Sequence, residues 1–154
     1  MTVTPAALYD LTTAIQPVRR AWLKATTIAL EGSGLSVSLA TVVLLVYRHG
    51  GGMRQSVLAE DAGVNPAALA RTLDQAEAAG LLERQGAPGD RRAKGVHLLP
   101  EGERLALIME ASVADLRTRL LGDLPQAEIE TAAKVLRRFE ERIGAFLQET
   151  RAGR

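Results

Sequence analysis

The stretch RQSVLAEDAGVNPAALARTLDQAEAAGLLERQG, residues 54–86, decides the fold. Apolar residues of the segment 55–62 mark the inner face of a short helix, and Gly63 suits the left-handed residue that ends such a helix. Asn65 followed by Pro66 is typical of a new helix start. The two predicted helices are separated by about three residues, which is the spacing of a helix-turn-helix.

The second of these helices has one apolar face. Leu69, Leu73 and Ala76 recur at helical spacing and therefore point towards a core. The opposite face is predicted to present the side chains of Ala67, Ala68, Ala70, Arg71, Asp74 and Gln75. This face is mostly methyl groups around one arginine.

A β-hairpin is predicted directly after the second helix. LLERQ and AKGVHLL form two short strands around a Gly-Ala-Pro-Gly turn, and a hairpin in this position is a wing. The loop holds Arg91, Arg92 and Lys94 against one acid, Asp90. Because Pro88 restricts the backbone, these arginines lose little entropy on entering the narrow, electronegative minor groove of DNA. An ordinary solvated hairpin is the alternative.

Positive charge is unevenly distributed along the chain. The net charge is only +1, but residues 84–94 contain four basic residues and one acid, which leaves an excess of three positive charges. Arg84 is counted in this excess. Asp90 lies two residues before Arg92 and is predicted to orient its guanidinium by a forked hydrogen bond. An exposed ion pair worth about 0 to 1 kcal/mol is the alternative.

This ordered set of segments resembles the MarR family of winged-helix transcriptional regulators. The resemblance rests on QSVLAEDAGV, the next helix with Arg71, LDQAEAAGLLER and GDRRAKGVHLLPEGERL, and is strongest over residues 39–107. It implies a homodimer on a pseudo-palindromic operator, with the second helix in the major groove and the wing in the minor groove. By position, Asp90 and Arg92 match the family's Asp-x-Arg wing motif, and Lys94 follows on the wing.

The chain departs from the family pattern on the second helix. Serine or threonine is common in the family where this chain has Pro66, Ala67, Ala68 and Ala70. Methyl groups can contact thymine methyls but cannot read donors and acceptors, so wing contacts and DNA shape are expected to contribute more of the specificity. The predicted DNA-binding residues are Asn65, Ala67, Ala68, Ala70, Arg71, Gln75, Asp90, Arg91, Arg92 and Lys94.

Apolar seams near both chain ends predict dimerisation. Residues spaced three and four apart recur over 8–29, 105–120 and 129–146. One winged domain cannot easily cover these seams, so a two-fold partner is expected, with an intramolecular helical hairpin as the alternative. The predicted fold is mainly α: an N-terminal dimerisation helix (1–34), a winged helix-turn-helix DNA-binding domain (35–100) and C-terminal dimerisation helices (101–154).

The resemblance also implies a small aromatic or anionic effector that releases the DNA. Residues that could supply stacking and charge to its site are Arg19, Trp22, Tyr47, His49 and Arg54. Core packing is the alternative for Trp22, and contacts with free helix-end carbonyls are the alternative for His49.

Several functions are not expected. The chain has no cysteine, which excludes disulfides, thiol sensing and cysteine-zinc sites. Its two histidines are far apart, so no metal or other cofactor is expected. No phosphate loop or catalytic motif is present, because GGG at 50–52 follows a helix instead of opening one; we do not expect an enzyme.

The most direct prediction is a cytoplasmic, DNA-binding repressor. No apolar run approaches the roughly 20 residues that span a bilayer, and the N-terminus does not resemble a signal peptide, so no membrane contact is expected. The alternative is a winged-helix module that binds another protein, which the alanine-rich outer face favours.

Overall fold

A computed structural model describes residues 3–87 and 90–153, except for the side chains of residues 87 and 90–94. The chain divides into two compact units, Met1–Leu116 and Arg117–Arg154. The elements are α1 (Pro5–Leu30), a 3₁₀ helix (Glu31–Ser33), α2 (Val37–His49), β1 (Met53–Arg54), α3 (Gln55–Ala62), α4 (Pro66–Ala78), β2 (Leu82–Ala87), β3 (Asp90–Leu98), α5 (Pro100–Leu121) and α6 (Gln126–Ala152). The predicted class, a mainly α winged helix-turn-helix, is confirmed.

The turn between α3 and α4 forms as the sequence predicts. Gly63 adopts a left-handed φ of 67°, and its N–H donates to the carbonyls that end α3. The Asn65 Oδ1 accepts a hydrogen bond from the backbone N–H of Ala68 at 2.8 Å, which caps α4. Pro66 then occupies the first turn, where its missing N–H costs nothing. Local chemistry alone therefore sets the geometry of the helix-turn-helix.

The core of the first unit lies around α2. This helix is apolar on several sides because it packs against α1, α3, α4 and the sheet. Leu58 of α3 and Leu73 of α4 are completely buried against it, and burying each such leucine contributes about 1.5 to 3 kcal/mol. The wing strands add Leu82 and Val96 to the same core. The helix-turn-helix and the base of the wing are therefore parts of one packed unit.

The sheet contains a strand that the sequence did not predict. Its order is β1-β3-β2 and all pairs are antiparallel. The short β1 pairs Met53 with Val96, and the Gly52 N–H donates to the Val96 carbonyl at 2.9 Å. A Cβ on Gly95 would lie 3.1 Å from the Gly52 Cα, so the close approach of the two backbones favours glycine there. Two residues have no readable periodicity, which is why β1 was missed.

The wing strands extend further towards the loop than predicted. The prediction gave residues 81–85 and 93–99, whereas β2 runs to Ala87 and β3 begins at Asp90, with an irregularity in register between Gly86 and Ala87. The base is regular, with Leu82 opposite Leu98. The wing is therefore a hairpin whose base is held by a third strand.

The core-facing side of α5 departs from its predicted apolar seam, although Leu105 of that seam packs against the core. The buried residues are Gly102, Ala106, Met109 and Val113. Ile108 and Leu120, which belong to the predicted seam, are exposed. This helix therefore has one apolar face that is buried at Ala106, Met109 and Val113, and further apolar side chains that are exposed.

In the second unit, α6 has no buried residue. Its predicted seam is accessible at Leu136, Ile143 and Phe146, which are 47%, 42% and 64% exposed.

Within the described part of the chain, no single helix is both long and apolar enough to cross a bilayer. The segments Pro5–Ser33 and Val37–His49 pass such a test only together, across a bend of 95°.

Candidate nucleic-acid interface

The outer face of α4 presents one arginine among small side chains. Ala67, Arg71 and Gln75 are exposed, as predicted, whereas Ala68 and Ala70 are half-buried and offer less surface than the helical pattern suggested. Among the residues whose side chains are described, Arg71 has no hydrogen-bond or ion-pair partner. Its guanidinium is therefore available to an external acceptor.

Asn65 has a structural role that limits its predicted DNA contact. Its side-chain oxygen is the N-cap of α4 and accepts from the Ala68 N–H. Its amide N–H groups and the second lone pair of Oδ1 remain to contact a ligand. Asparagine at this position is typical both of a helix N-cap and of a DNA contact. The sequence alone therefore does not distinguish the capping role from the DNA-binding role.

The charged tip of the wing can be placed only by its backbone. β3 begins at Asp90, and Gly86 pairs with Lys94 across the hairpin. The side chains of Asp90, Arg91, Arg92 and Lys94 lie outside the described residues. The predicted fork between Asp90 and Arg92 lies outside them as well.

Arg84 joins β2 to α4, the second helix of the helix-turn-helix. One of its terminal nitrogens, Nη2, lies 2.6 Å from Asp74 Oδ1 and 2.5 Å from Glu77 Oε2. The backbone N–H of Arg84 donates to the other Glu77 oxygen at 2.9 Å. The hydrogen bonds to Glu77 and then Asp74 raise the pKa of Arg84 further above its already high value. We call Asp74, Glu77 and Arg84 the Arg84 cluster.

The Arg84 cluster corrects the predicted charge of the wing. Arg84 was counted with the basic residues of 84–94, but its charge is compensated by two carboxylates and its side chain is 21% exposed. The remaining positive residues of that segment are Arg91, Arg92 and Lys94. The cluster was not predicted because it depends on how β2 packs on α4. The available signal was an acid pair three residues apart, followed by LLER.

The five predicted effector residues are not gathered at one site. Trp22 and Tyr47 pack against the core, which is the alternative that the sequence favoured for Trp22. His49 Nδ1 lies 3.2 Å from the Gly51 carbonyl oxygen, a local helix-end contact. Arg19 reaches the turn of the helix-turn-helix, where its Nη2 is 3.7 Å from the position of a Cβ on Gly63. Arg54 is exposed and precedes α3.

A pocket of about 210 Å³ lies between the end of α2, β3 and the start of α5. It is lined by Val46, Tyr47, Gly50, Gly51, His97, Leu98 and Glu103. Tyr47 alone of the five predicted effector residues lines it. Its polar groups are a phenol, an imidazole and a carboxylate, which lie beside the apolar side chains of Val46 and Leu98. Among the described residues, no group of three or more histidine, aspartate or glutamate side chains could hold a metal ion.

The helix-turn-helix, the strand-supported wing and the open face of α4 define a winged helix-turn-helix protein. Comparison with known proteins gives the family. The family model described as "MarR family" matches residues 33–93, and the transcriptional regulator PA3341, whose structure is solved, is 32% identical over 88% of this chain and 98% of that one. The chain belongs to the MarR family.

The solved structures also match in fold. The TM-score to the structure of PA3341 is 0.79. CouR from Rhodococcus jostii RHA1, solved bound to p-coumaroyl-CoA, is 26% identical over 88% of this chain and 95% of that chain, with a TM-score of 0.71. A MarR-family transcriptional regulator from Rhodococcus sp. RHA1 is also 26% identical, over 88% and 96%, with a TM-score of 0.72.

Proposed function

We propose that the protein is a homodimeric, sequence-specific DNA-binding repressor that acts in the cytoplasm on a pseudo-palindromic operator. The observation that carries this proposal is Arg71, which lies on the open face of α4 and has no partner among the described side chains, beside a wing whose base is fixed by three strands. A cation on the exposed face of the second helix of such a motif is suited to a base edge or a phosphate.

The dimensions of α4 suit the major groove. The helix has 13 residues, so it is about 20 Å long at 1.5 Å per residue. Its exposed alanine side chain is short and its exposed arginine side chain is flexible, so neither prevents α4 from approaching the bases. The DNA contacts then include Asn65, Ala67, Ala68, Ala70, Arg71 and Gln75 from the helix-turn-helix, and Asp90, Arg91, Arg92 and Lys94 from the wing.

Dimerisation supplies the second half-site. In this proposal residues 1–34 and 101–154 dimerise, and residues 35–100 bind DNA. The support is apolar surface that each unit leaves open: Leu8, Val18 and Ile28 on α1 are 53%, 64% and 67% exposed, and α6 buries no residue. Two copies related by a two-fold axis present two recognition helices, about 34 to 36 Å apart, to successive major grooves.

DNA selection tests this function directly. The purified protein is used to enrich fragments from a random duplex pool, and binding to the selected sequence is then measured by fluorescence anisotropy at several salt concentrations. We expect an inverted repeat and a logarithmic salt slope of about 0.9 per phosphate contact. No enrichment above the starting pool would contradict the proposal and favour a protein-binding module.

We further propose that a small aromatic or anionic effector releases the operator. The support is the 210 Å³ pocket that touches α2, β3 and α5, together with CouR, the relative solved with p-coumaroyl-CoA. Its test is a titration of the protein–operator complex with phenolic and carboxylate compounds, with Tyr47→Ala as the variant. We expect at least one compound to release wild-type protein at lower concentration than Tyr47→Ala. No release by any compound would contradict the effector proposal while leaving DNA binding intact.

A further inference from the structure

The recognition helix carries a charge that opposes its proposed partner. Within α4 there are two carboxylates, Asp74 and Glu77, and one cation, Arg71, so the helix alone is net negative. The Asp74 side chain is 65% exposed and lies on the same outer face as Arg71. Because DNA presents a dense row of phosphates, an unmasked carboxylate here would oppose docking.

Arg84 of the wing strand β2 supplies a positive charge that compensates the two carboxylates of α4. A single Arg84 nitrogen lies within 2.6 Å of both carboxylates, at Asp74 Oδ1 and Glu77 Oε2. With Arg84 included, the two cations and two carboxylates cancel. Arg84 itself is only 21% exposed and faces α4, so it is poorly placed to contact a phosphate. Its positive charge is directed at the recognition helix.

We propose that Arg84 is a positioning residue for DNA binding: it masks Asp74 and Glu77, so that α4 can approach the phosphate backbone. This inference rests on the proposed DNA-binding function. Masking acts through the field of the carboxylates and not through a contact between Arg84 and DNA. The Debye length is about 10 Å at 0.1 M salt, so the effect reaches phosphates that border the helix.

The test compares charge variants on the selected operator. Arg84→Met keeps much of the stem volume and removes the charge, and we expect it to weaken binding by about tenfold at 0.1 M salt. Adding Asp74→Asn and Glu77→Gln to Arg84→Met should restore most of that loss, because no carboxylate is left unmasked. The double variant Asp74→Asn/Glu77→Gln with Arg84 intact should bind at least as tightly as wild type.

The matched control is Arg104→Met. Arg104 forms an ion pair of the same length, 2.6 Å, with Glu101 on α5. Its loss removes one positive charge and one ion pair without unmasking a carboxylate on α4, so we expect operator affinity within about twofold of wild type. This control separates the specific masking from the general effect of net charge.

Rescue distinguishes masking from a purely structural role. A clamp that only holds β2 on α4 would lose and regain operator affinity together with folding stability, because a part-buried carboxylate without its cation destabilises the fold. Masking instead predicts that affinity falls and is restored among variants whose unfolding temperatures are the same. Thermal unfolding and circular dichroism are measured for every variant. If Arg84→Met does not fold, the triple variant is compared with the double variant, since both lack the Asp74 and Glu77 carboxylates. The triple variant is expected to bind within about threefold of the double at 0.1 M salt, where the one remaining charge difference is largely screened.

Two results would overturn the inference: an Arg84→Met affinity equal to that of Arg104→Met, or a triple variant that binds no better than folded Arg84→Met. If Arg84→Met does not fold, a triple variant that binds the operator much more weakly than the double variant would also overturn the inference. Failure of the proposed function is distinguishable, because wild-type protein would then select no operator. Wild-type binding is therefore measured first.

Discussion

Arg71 is the side chain on which direct readout by α4 depends. It is exposed and, among the residues whose side chains are described, has no partner. We expect Arg71→Ala to cost about 1 to 3 kcal/mol of operator binding, concentrated at one base pair if the arginine reads a base. Anisotropy with the selected operator and single-base variants measures this. An equal loss on every sequence would instead assign Arg71 to a phosphate, and no loss would remove α4 from the interface.

Gly102 is the residue at which the start of α5 fits under the wing. A Cβ at this position would lie 2.0 Å from the Leu81 carbonyl oxygen, and that oxygen also accepts from the Leu99 N–H. Since the obstacle is backbone, we expect Gly102→Ala to destabilise folding by about 3 kcal/mol. Urea unfolding gives the value. Gly32→Ala is the control, because a Cβ there meets nothing within 4 Å. Similar free energies of unfolding for the two variants would contradict a steric clash at Gly102.

At the scale of elements, the capping of α4 gives a separable test of Asn65. Its oxygen accepts the Ala68 N–H at 2.8 Å, so Asn65→Ala should lower the free energy of unfolding by about 1 kcal/mol. Asn65→Asp keeps the acceptor and should retain stability while weakening operator binding, because it adds a negative charge beside the DNA. Urea unfolding and anisotropy are both measured. Equal loss of stability in the two variants would show that the cap does not matter.

The same elements show which features a sequence can predict. The helix-turn-helix was predictable because its determinants are local: an apolar period, Gly63 at the turn and Asn65 before Pro66. The Arg84 cluster was not, since it joins β2 to a helix whose packing angle no local pattern reveals. The open and packed faces of α5 could not be told apart either, because both are apolar. An apolar period in the sequence predicts that a helix face is covered by other residues. Which element or which partner chain covers that face depends on tertiary packing.

At the scale of the whole molecule, the two units leave different amounts of surface uncovered. The first has a core of its own around α2. The second is essentially one helix without a buried side chain, although Leu136, Ile143 and Phe146 recur at helical spacing. An amphipathic helix of 27 residues needs an apolar partner to remain folded in water, since helical propensity alone is marginal. This requirement is the physical basis for placing α6 at a dimer interface.

A charge on the α6 seam tests that placement. Ile143 is 42% exposed in the single chain, so Ile143→Glu buries no charge in a monomer but would do so in a dimer, at a cost of several kcal/mol per subunit. We expect sedimentation equilibrium to find dimeric wild type and a largely monomeric variant, and operator affinity to fall because a monomer contacts one half-site. Lys134→Glu, which puts the same side chain on α6 outside the seam, should remain dimeric. A fully dimeric Ile143→Glu protein would exclude the α6 seam from the dimer interface. A wild-type protein that binds the operator tightly as a monomer would contradict the proposed two-fold arrangement itself.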